Sequence, residues 1–439
     1  MTTHEDVLPI FEHHESSARS YCRNFPVVFQ RASGCHIYDQ DNTAYLDFLS
    51  CAGAVNYGHN PQVMKRALID YLAADGIQAA LDMHSTAKVE FIAAFDTIIL
   101  SPRGLNYKQQ FTSPTGTSVV ESAVKLARKV KKRASIVAFT NGFHGMSSTS
   151  LGLTGNRDHR QNNLDPHVFR LPYDGYLDGL DSVAYLEKLL TDNSSGMDIP
   201  AAVILETVQG EGGVNVASAD WLRRLRDVTQ QHDILLIIDD VQAGCGRTGH
   251  FFSFEFAGIE PDMVCLSKSL SGYGLPFSLL LYKPEWDQWR PGEDNGTFRG
   301  NSAAFVTAKA ALETYWRDDK LSEHIFQLEH QIQAWLAKMA LRFPAFIKQT
   351  RGRGLFYGIE MYQPAIAKQI TQYCFEQHLI IERAGDRDQV IKLMPALTIS
   401  SELLQQGLSV LEQAMTHVLL SEGAERARRT EVPSLIKEG

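Results

Sequence analysis

The chain has 439 residues, 44% of them apolar and 21% charged, and its 42 Lys plus Arg against 51 Asp plus Glu leave a formal charge of −9. That length exceeds one small core, and it predicts two domains, or one large α/β domain with satellites. Mild acidity without a basic stripe argues against nucleic acid, no apolar run approaches the roughly 20 residues of a membrane span, and the six cysteines lack CxxC pairs and neighbouring histidines, so they read as reduced thiols of a cytoplasmic protein with no metal site.

Residues 24–50 hold short alternating pieces around His36–Leu49 that predict a hairpin. Further on come apolar runs at 135–139, 201–205, 234–238, 263–266 and 277–282. Several are nearly continuous, as strands buried on both faces must be. Helical patterns at 119–132 and 220–232 lie between them. Strand–helix alternation of this kind predicts an open, doubly wound, mostly parallel sheet, whose ligands sit at the carboxyl ends of its strands. Residues 321–343 read as a long amphipathic helix, and 351–400 mix two strand-like pieces (355–362 and 390–394) with a helix. The expected division is a large domain over 61–320 and a smaller α+β domain built from both ends, 1–60 and 321–439. The charged stretch 421–439 is expected to be loosely ordered.

Several strings at these strand ends carry chemistry. Pro114-Thr115-Gly116-Thr117-Ser118 precedes the helix pattern at 119–132. Backbone N–H groups at a helix start bind anions such as phosphate, and Gly116 permits close approach; a plain helix cap reads the same way. Phe143 and His144 follow the run at 135–139, where a flat ring is placed to stack on a ligand, though a core phenylalanine in a turn fits too. Glu206 and Glu211 follow the run at 201–205; they can steer an amine or simply be solvated. Gly244-Cys245-Gly246-Arg247-Thr248-Gly249 matches the dinucleotide pattern GxGxxG, on which an oxidoreductase reading would rest, but aromatic residues follow where a helix should open, which argues against that reading. Asp239 ends the run at 234–238, and Lys268 stands two residues past the run at 263–266. A lysine to bond an aldehyde and an aspartate to keep a pyridinium nitrogen protonated are the two groups that pyridoxal 5'-phosphate chemistry needs most.

Taken in this order, the strings resemble the class III (ω) aminotransferases over roughly residues 25–415. The resemblance implies the fold-type I architecture and pyridoxal 5'-phosphate as cofactor. It implies Lys268 as the aldehyde-holding lysine and Asp239 as the pyridinium partner. Gln242 would contact the ring hydroxyl, Gly116 and Thr117 the phosphate, and Phe143 and His144 the ring. Thr297, in Gly296–Asn301, would reach the phosphate of a neighbouring subunit, which implies a homodimer or higher homo-oligomer. Within the class the chain is most similar to the branch acting on L-2,4-diaminobutyrate and 2-oxoglutarate in ectoine synthesis, through Ala52–Pro61 and Val390–Ser400. Branches using ornithine, acetylornithine or 4-aminobutyrate, an aminomutase, or a siderophore-related role for the same reaction are the alternatives.

Two departures bear on substrate. Many relatives place an arginine after the aromatic–x–Gly triplet, where this chain has Met146, and another in a late strand, where it has Lys392. An arginine fork grips a carboxylate with two parallel bonds, whereas lysine is a mobile point charge. The expectation is therefore that Glu206, Glu211 and Lys392 meet the substrates, with a Lys392–Glu211 pair that opens for the keto acid.

Overall fold

The computed structural model describes residues 4–161 and 165–431. The amino-terminal part contributes β1 (Phe29–Ser33), β2 (His36–Asp39) and β3 (Ala44–Asp47). The middle of the chain adds β4 (Lys108–Phe111), β5 (Ile136–Phe139), β6 (Val168–Leu171) and β7 (Ala202–Leu205). A short hairpin of β8 (Val208–Gln209) and β9 (Asn215–Val216) follows, then β10 (Leu235–Asp239), β11 (Met263–Leu266) and β12 (Leu279–Tyr282). The last strands are β13 (Ile347–Arg353), β14 (Phe356–Met361), β15 (Leu379–Ile380), β16 (Glu382–Ala384) and β17 (Val390–Leu393).

The large sheet runs β4-β12-β11-β10-β7-β5-β6. Its strands are parallel except β12, which is antiparallel to both β11 and β4. Successive side chains on a strand point to opposite faces, and both faces here are apolar. Ile136, Ile204, Ile237 and Cys265 pack on one side with Val120 and Ala123 of the helix Gly116–Lys131. Val137, Val203, Ile238 and Val264 face the other way, into a core shared with Trp221 and Leu225 of the helix Ala219–Gln231. Two buried faces explain why these strands read as unbroken apolar runs. Each fully buried aliphatic side chain contributes about 1.5–3 kcal/mol. The mostly parallel, doubly wound sheet expected from the alternation is the one observed.

Two smaller sheets flank it. In β1-β2-β3-β15 the hairpin of β2 and β3 has the Asp39 carboxylate accepting the Asp41 and Thr43 N–H groups, which closes the turn. The last strand of that sheet, β15, pairs parallel with β3 across more than 300 residues of chain and joins the two chain ends. The other sheet, β13-β14-β17-β16, is antiparallel. The long helix expected at 321–343 is Lys320–Arg342. The stretch expected to be loosely ordered at 421–439 is helical as far as Glu431, and residues 432–439 lie outside those described. Among the described residues no helix is long and apolar enough to cross a membrane.

The glycine-rich string that mimics a nucleotide loop has a structural task. It carries Arg247, which is fully buried. Its guanidinium donates to the carbonyls of Leu355 (3.0 Å) and Pro395 (2.6 Å) and to Asn56 Oδ1 (2.7 Å). Three segments distant in sequence are thus held by one rigid fork. Arg247→Ala leaves three buried acceptors without a donor, so urea unfolding is expected to show a loss of about 3 kcal/mol or more. Arg247→Lys, a point donor, is expected to recover only part of it; a full recovery would count against the three-way fork.

Candidate active site

The parallel strands β5, β7, β10 and β11 end on one edge of the large sheet, and the chemistry-bearing side chains stand there. Asp239 closes β10 and is buried. Its Oδ2 lies 2.7 Å from His144 Nδ1, and its Oδ1 accepts the Val241 N–H at 3.2 Å. Burial by itself favours a neutral imidazole. The hydrogen bond and charge of Asp239 outweigh it and hold the His144 pKa above its usual value. Glu206, past the end of β7, is also buried, and its carboxylate accepts the Phe143 N–H at 2.8 Å and the Gly210 N–H at 3.4 Å. Burial pushes the Glu206 carboxyl well above the usual range, against the opposing charge of His144. Glu206 therefore holds the Phe143 turn from beneath and is closed to the cleft.

Lys268 follows β11 with a left-handed backbone, φ 47°, a conformation that costs a non-glycine residue on the order of 1 kcal/mol. Its two neighbours pin it there. Ser267 Oγ donates to the Phe277 carbonyl at 2.7 Å. Ser269 Oγ donates to the Gly53 carbonyl at 2.7 Å and accepts the Asn56 N–H at 2.8 Å. Burial and then the positive charge of Lys392 lower the Lys268 pKa, against the pull of Glu211, Glu382 and Asp239.

The turn after β4 brings in the start of the helix Gly116–Lys131, capped by Thr115 Oγ1 accepting the Ser118 N–H at 3.2 Å. A Cβ on Gly116 would lie 2.9 Å from Val241 Cγ1, so only glycine lets this turn lie against the Asp239–Gln242 segment. Thr117 Oγ1 bonds the hydroxyls of Ser147 (2.6 Å) and Ser150 (2.5 Å) and thereby joins this turn to the loop after β5. Gln242 donates from Nε2 to the Ala52 carbonyl at 3.0 Å and to Glu211 Oε1 at 3.1 Å. Its own Oε1 is buried without a hydrogen-bond partner.

The expected Lys392–Glu211 pair is present, at 2.8 Å. A residue the sequence did not single out joins it. Glu382, directly across from Lys392 in the β16–β17 ladder, places Oε1 2.8 Å from the same Nζ. Burial disfavours the Lys392 charge, but Glu211 and Glu382 together raise its pKa. Burial alone would push Glu211 up; Lys392 and Lys268 outweigh it and hold the carboxylate well below the usual range. Only the pairing of two strands brings Glu382 there, so local patterning offered no signal for it.

A second unforeseen feature is the run Ser50–Gly53, four successive residues with positive φ (49°, 50°, 53° and 84°). Asp47 Oδ1 accepts the Leu49 and Ser50 N–H groups and anchors the start of the run, while the carbonyls of Ala52 and Gly53 receive Gln242 and Ser269. Asn141–Phe143, Arg157–Arg160, Glu211 and Arg383–Asp388 line a cleft of about 940 Å³ over this edge. Met146 is more than half exposed, and Thr297 stands exposed beside Phe298, which keeps 71% of its surface free.

Comparison with known proteins places this geometry. The aminotransferase class-III family matches residues 17–415. The diaminobutyrate–2-oxoglutarate transaminase of Vibrio cholerae is 55% identical over 93% of this chain and 100% of its own length. That of Streptomyces avermitilis is 53% identical over 94% and 99%. An ornithine aminotransferase from Toxoplasma gondii, solved with partial occupancy of pyridoxal phosphate at its active site, superposes with a TM-score of 0.83 at 25% identity over 96% of both chains. The chain belongs to the class III aminotransferases.

Proposed function

We propose that the protein transfers the 4-amino group of L-2,4-diaminobutyrate to 2-oxoglutarate with pyridoxal 5'-phosphate, giving aspartate 4-semialdehyde and glutamate. The observation that carries this reading is identity at more than half of the positions, over essentially full length, to relatives bearing that name. The residues present fit the cofactor. Gln242 offers a buried acceptor with no partner, suited to a ring hydroxyl. Gly116 opens a helix start against Val241, where N–H groups suit a phosphate. Asp239 is a buried carboxylate with a histidine behind it, suited to a protonated ring nitrogen.

Bound there, pyridoxal phosphate supplies an aldehyde that condenses with amines and a ring that draws electrons from the carbon carrying the amine. Lys268 would hold the aldehyde, and its amine, when free, would take a proton from C4 of the donor; positioned proton transfer of this kind contributes about 10²–10⁴-fold. The lowered Lys268 pKa, caused first by burial, shifts that amine toward the neutral form that accepts a proton. His144 fixes the Asp239 carboxylate, Phe143, on the turn that Glu206 supports, would stack on the cofactor ring, and Thr117 joins the turn after β4 to that loop. Glu211, which lines the cleft, meets the far end of the substrates, with Lys392 paired to it from behind. Thr297 serves the phosphate site of a second copy in a homodimer or larger assembly, and the reaction serves ectoine synthesis in the cytoplasm.

The visible spectrum of the purified holoenzyme tests the reading. A yellow band that bleaches with L-2,4-diaminobutyrate alone and returns with 2-oxoglutarate is the expected result. A band that persists with this diamine but bleaches with ornithine or 4-aminobutyrate overturns the substrate. Lys268→Ala is expected to slow the reaction by at least about 10²-fold. The His144–Asp239 contact predicts a pH dependence of stability. Because the folded-state pKa of His144 is raised, its stabilisation is complete below the ordinary imidazole value and is lost as pH climbs through the raised one. Urea midpoints of the wild type are expected to fall over that rise, and those of His144→Gln, which keeps a donor but cannot titrate, to lack that decline.

A further inference from the structure

The three charged groups around Lys392 are unequal in their access to the cleft. The Lys392 side chain is 0% exposed and that of Glu382 7%, whereas that of Glu211 is 31% exposed and lines the cleft. Both Lys392 and Gln242 bond Glu211 through the same oxygen, Oε1. A lone Lys392–Glu211 pair would be neutral, and Glu211 would have little charge to offer a ligand. Burial raises the Glu382 pKa, and Lys392, 2.8 Å away, is the charge that opposes it; ionised there, Glu382 gives the triad one surplus negative charge, and the member of the triad open to the cleft is Glu211. At close range inside a protein, a charge left uncompensated in this way governs which ligand charge is accepted.

We propose that Glu382 is a specificity-positioning residue that acts through Lys392: it compensates the lysine from behind, so that Glu211 faces the cleft as an anion and selects an amino donor bearing a second ammonium group. This rests on the diamino-acid reading of the site. L-2,4-diaminobutyrate carries an ammonium at C2, and 4-aminobutyrate is the same skeleton without it. Preference between the two isolates the interaction. Lys392 remains in place for both, so the preference is set by the balance of charge on it, through a residue that need not touch the substrate.

The test is the rate of bleaching of the holoenzyme's visible band, over a range of donor concentrations, with each of these two donors. Glu382→Gln is expected to lower the preference for diaminobutyrate over 4-aminobutyrate by about tenfold to a hundredfold, the worth of one hydrogen bond to a charged group, mainly through KM. Glu382→Asp is expected to restore most of it. Glu382→Gln made in a Glu211→Gln background, which has no anion for Glu382 to expose, is expected to leave the preference where Glu211→Gln alone puts it. A purely structural role for Glu382 would act in both backgrounds. An equal fall with both donors, or a further fall of the preference in the Glu211→Gln background, overturns the proposal. A wild type that never bleaches with diaminobutyrate overturns the substrate reading itself and this inference with it, whereas a wild type that bleaches and a preference that ignores residue 382 sinks this inference alone.

Discussion

The arrangement of the candidate site depends on one buried carboxylate and the groups that compensate it. Asp239 sits at the end of β10, with three strands on either side of it in the large sheet, and moving such a group out of water costs several kcal/mol unless it is compensated. Compensation comes from one ring nitrogen of His144 at 2.7 Å and one backbone N–H. That requirement fixes its surroundings. The loop after β5 must place His144 over the end of β10, so it turns sharply at Gly145, where a Cβ would lie 2.5 Å from Thr117 Oγ1. The same loop is thereby tied to the start of the helix Gly116–Lys131. The pairing at the end of β10 is thus linked, through the loop after β5, to the turn after β4, three strands away.

The other charges follow the same logic with different outcomes. Glu206 has only backbone N–H groups as close partners and lies near Asp239, so burial drives it toward the neutral acid. A neutral Glu206 avoids placing a second anion beside Asp239, and it still accepts the hydrogen bond that shapes the Phe143 turn. Lys392 is buried more completely than either, yet two carboxylates at 2.8 Å keep it charged. The edge of the large sheet thus holds a carboxylate paired with a histidine and a carboxyl tending to neutrality, while the neighbouring antiparallel sheet supplies a cation clamped from two sides.

Much of this was legible in the sequence, for a physical reason. Strands buried on both faces must be apolar at every position, so β5, β7, β10, β11 and β12 stood out as runs, and the residues just beyond them had to lie near one edge. The edge strands β4 (Lys108-Gln109-Gln110-Phe111) and β6 (Val168-Phe169-Arg170-Leu171) gave no such signal, because an edge strand tolerates polar side chains. Glu382 and the Ser50–Gly53 run were illegible for a different reason. The first acquires its partner through the pairing of β16 with β17. The second takes its shape from Asp47, Gln242 and Ser269, the last two some 190 and more residues away.

Lys268 shows how strain and mobility are divided in one residue. The role proposed for it, bonding an aldehyde, releasing it and then carrying a proton, needs a side chain free to swing, and a four-carbon stem provides that. If the backbone swung too, the reach of the amine would be undefined. Here the backbone is held in a left-handed conformation that an isolated chain would leave. It is held by Ser267 on one side and Ser269 on the other, each bonded to a different part of the molecule. In the role proposed for Lys268 the flanking serines confine the conformational freedom to the side chain, and they tie its backbone to Phe277, just before β12, and to the Ser50–Gly53 run. That run has an unusual backbone of its own, and its last carbonyl takes the Ser269 hydroxyl. The two strained segments face each other across one hydrogen bond, so neither can relax without releasing the other.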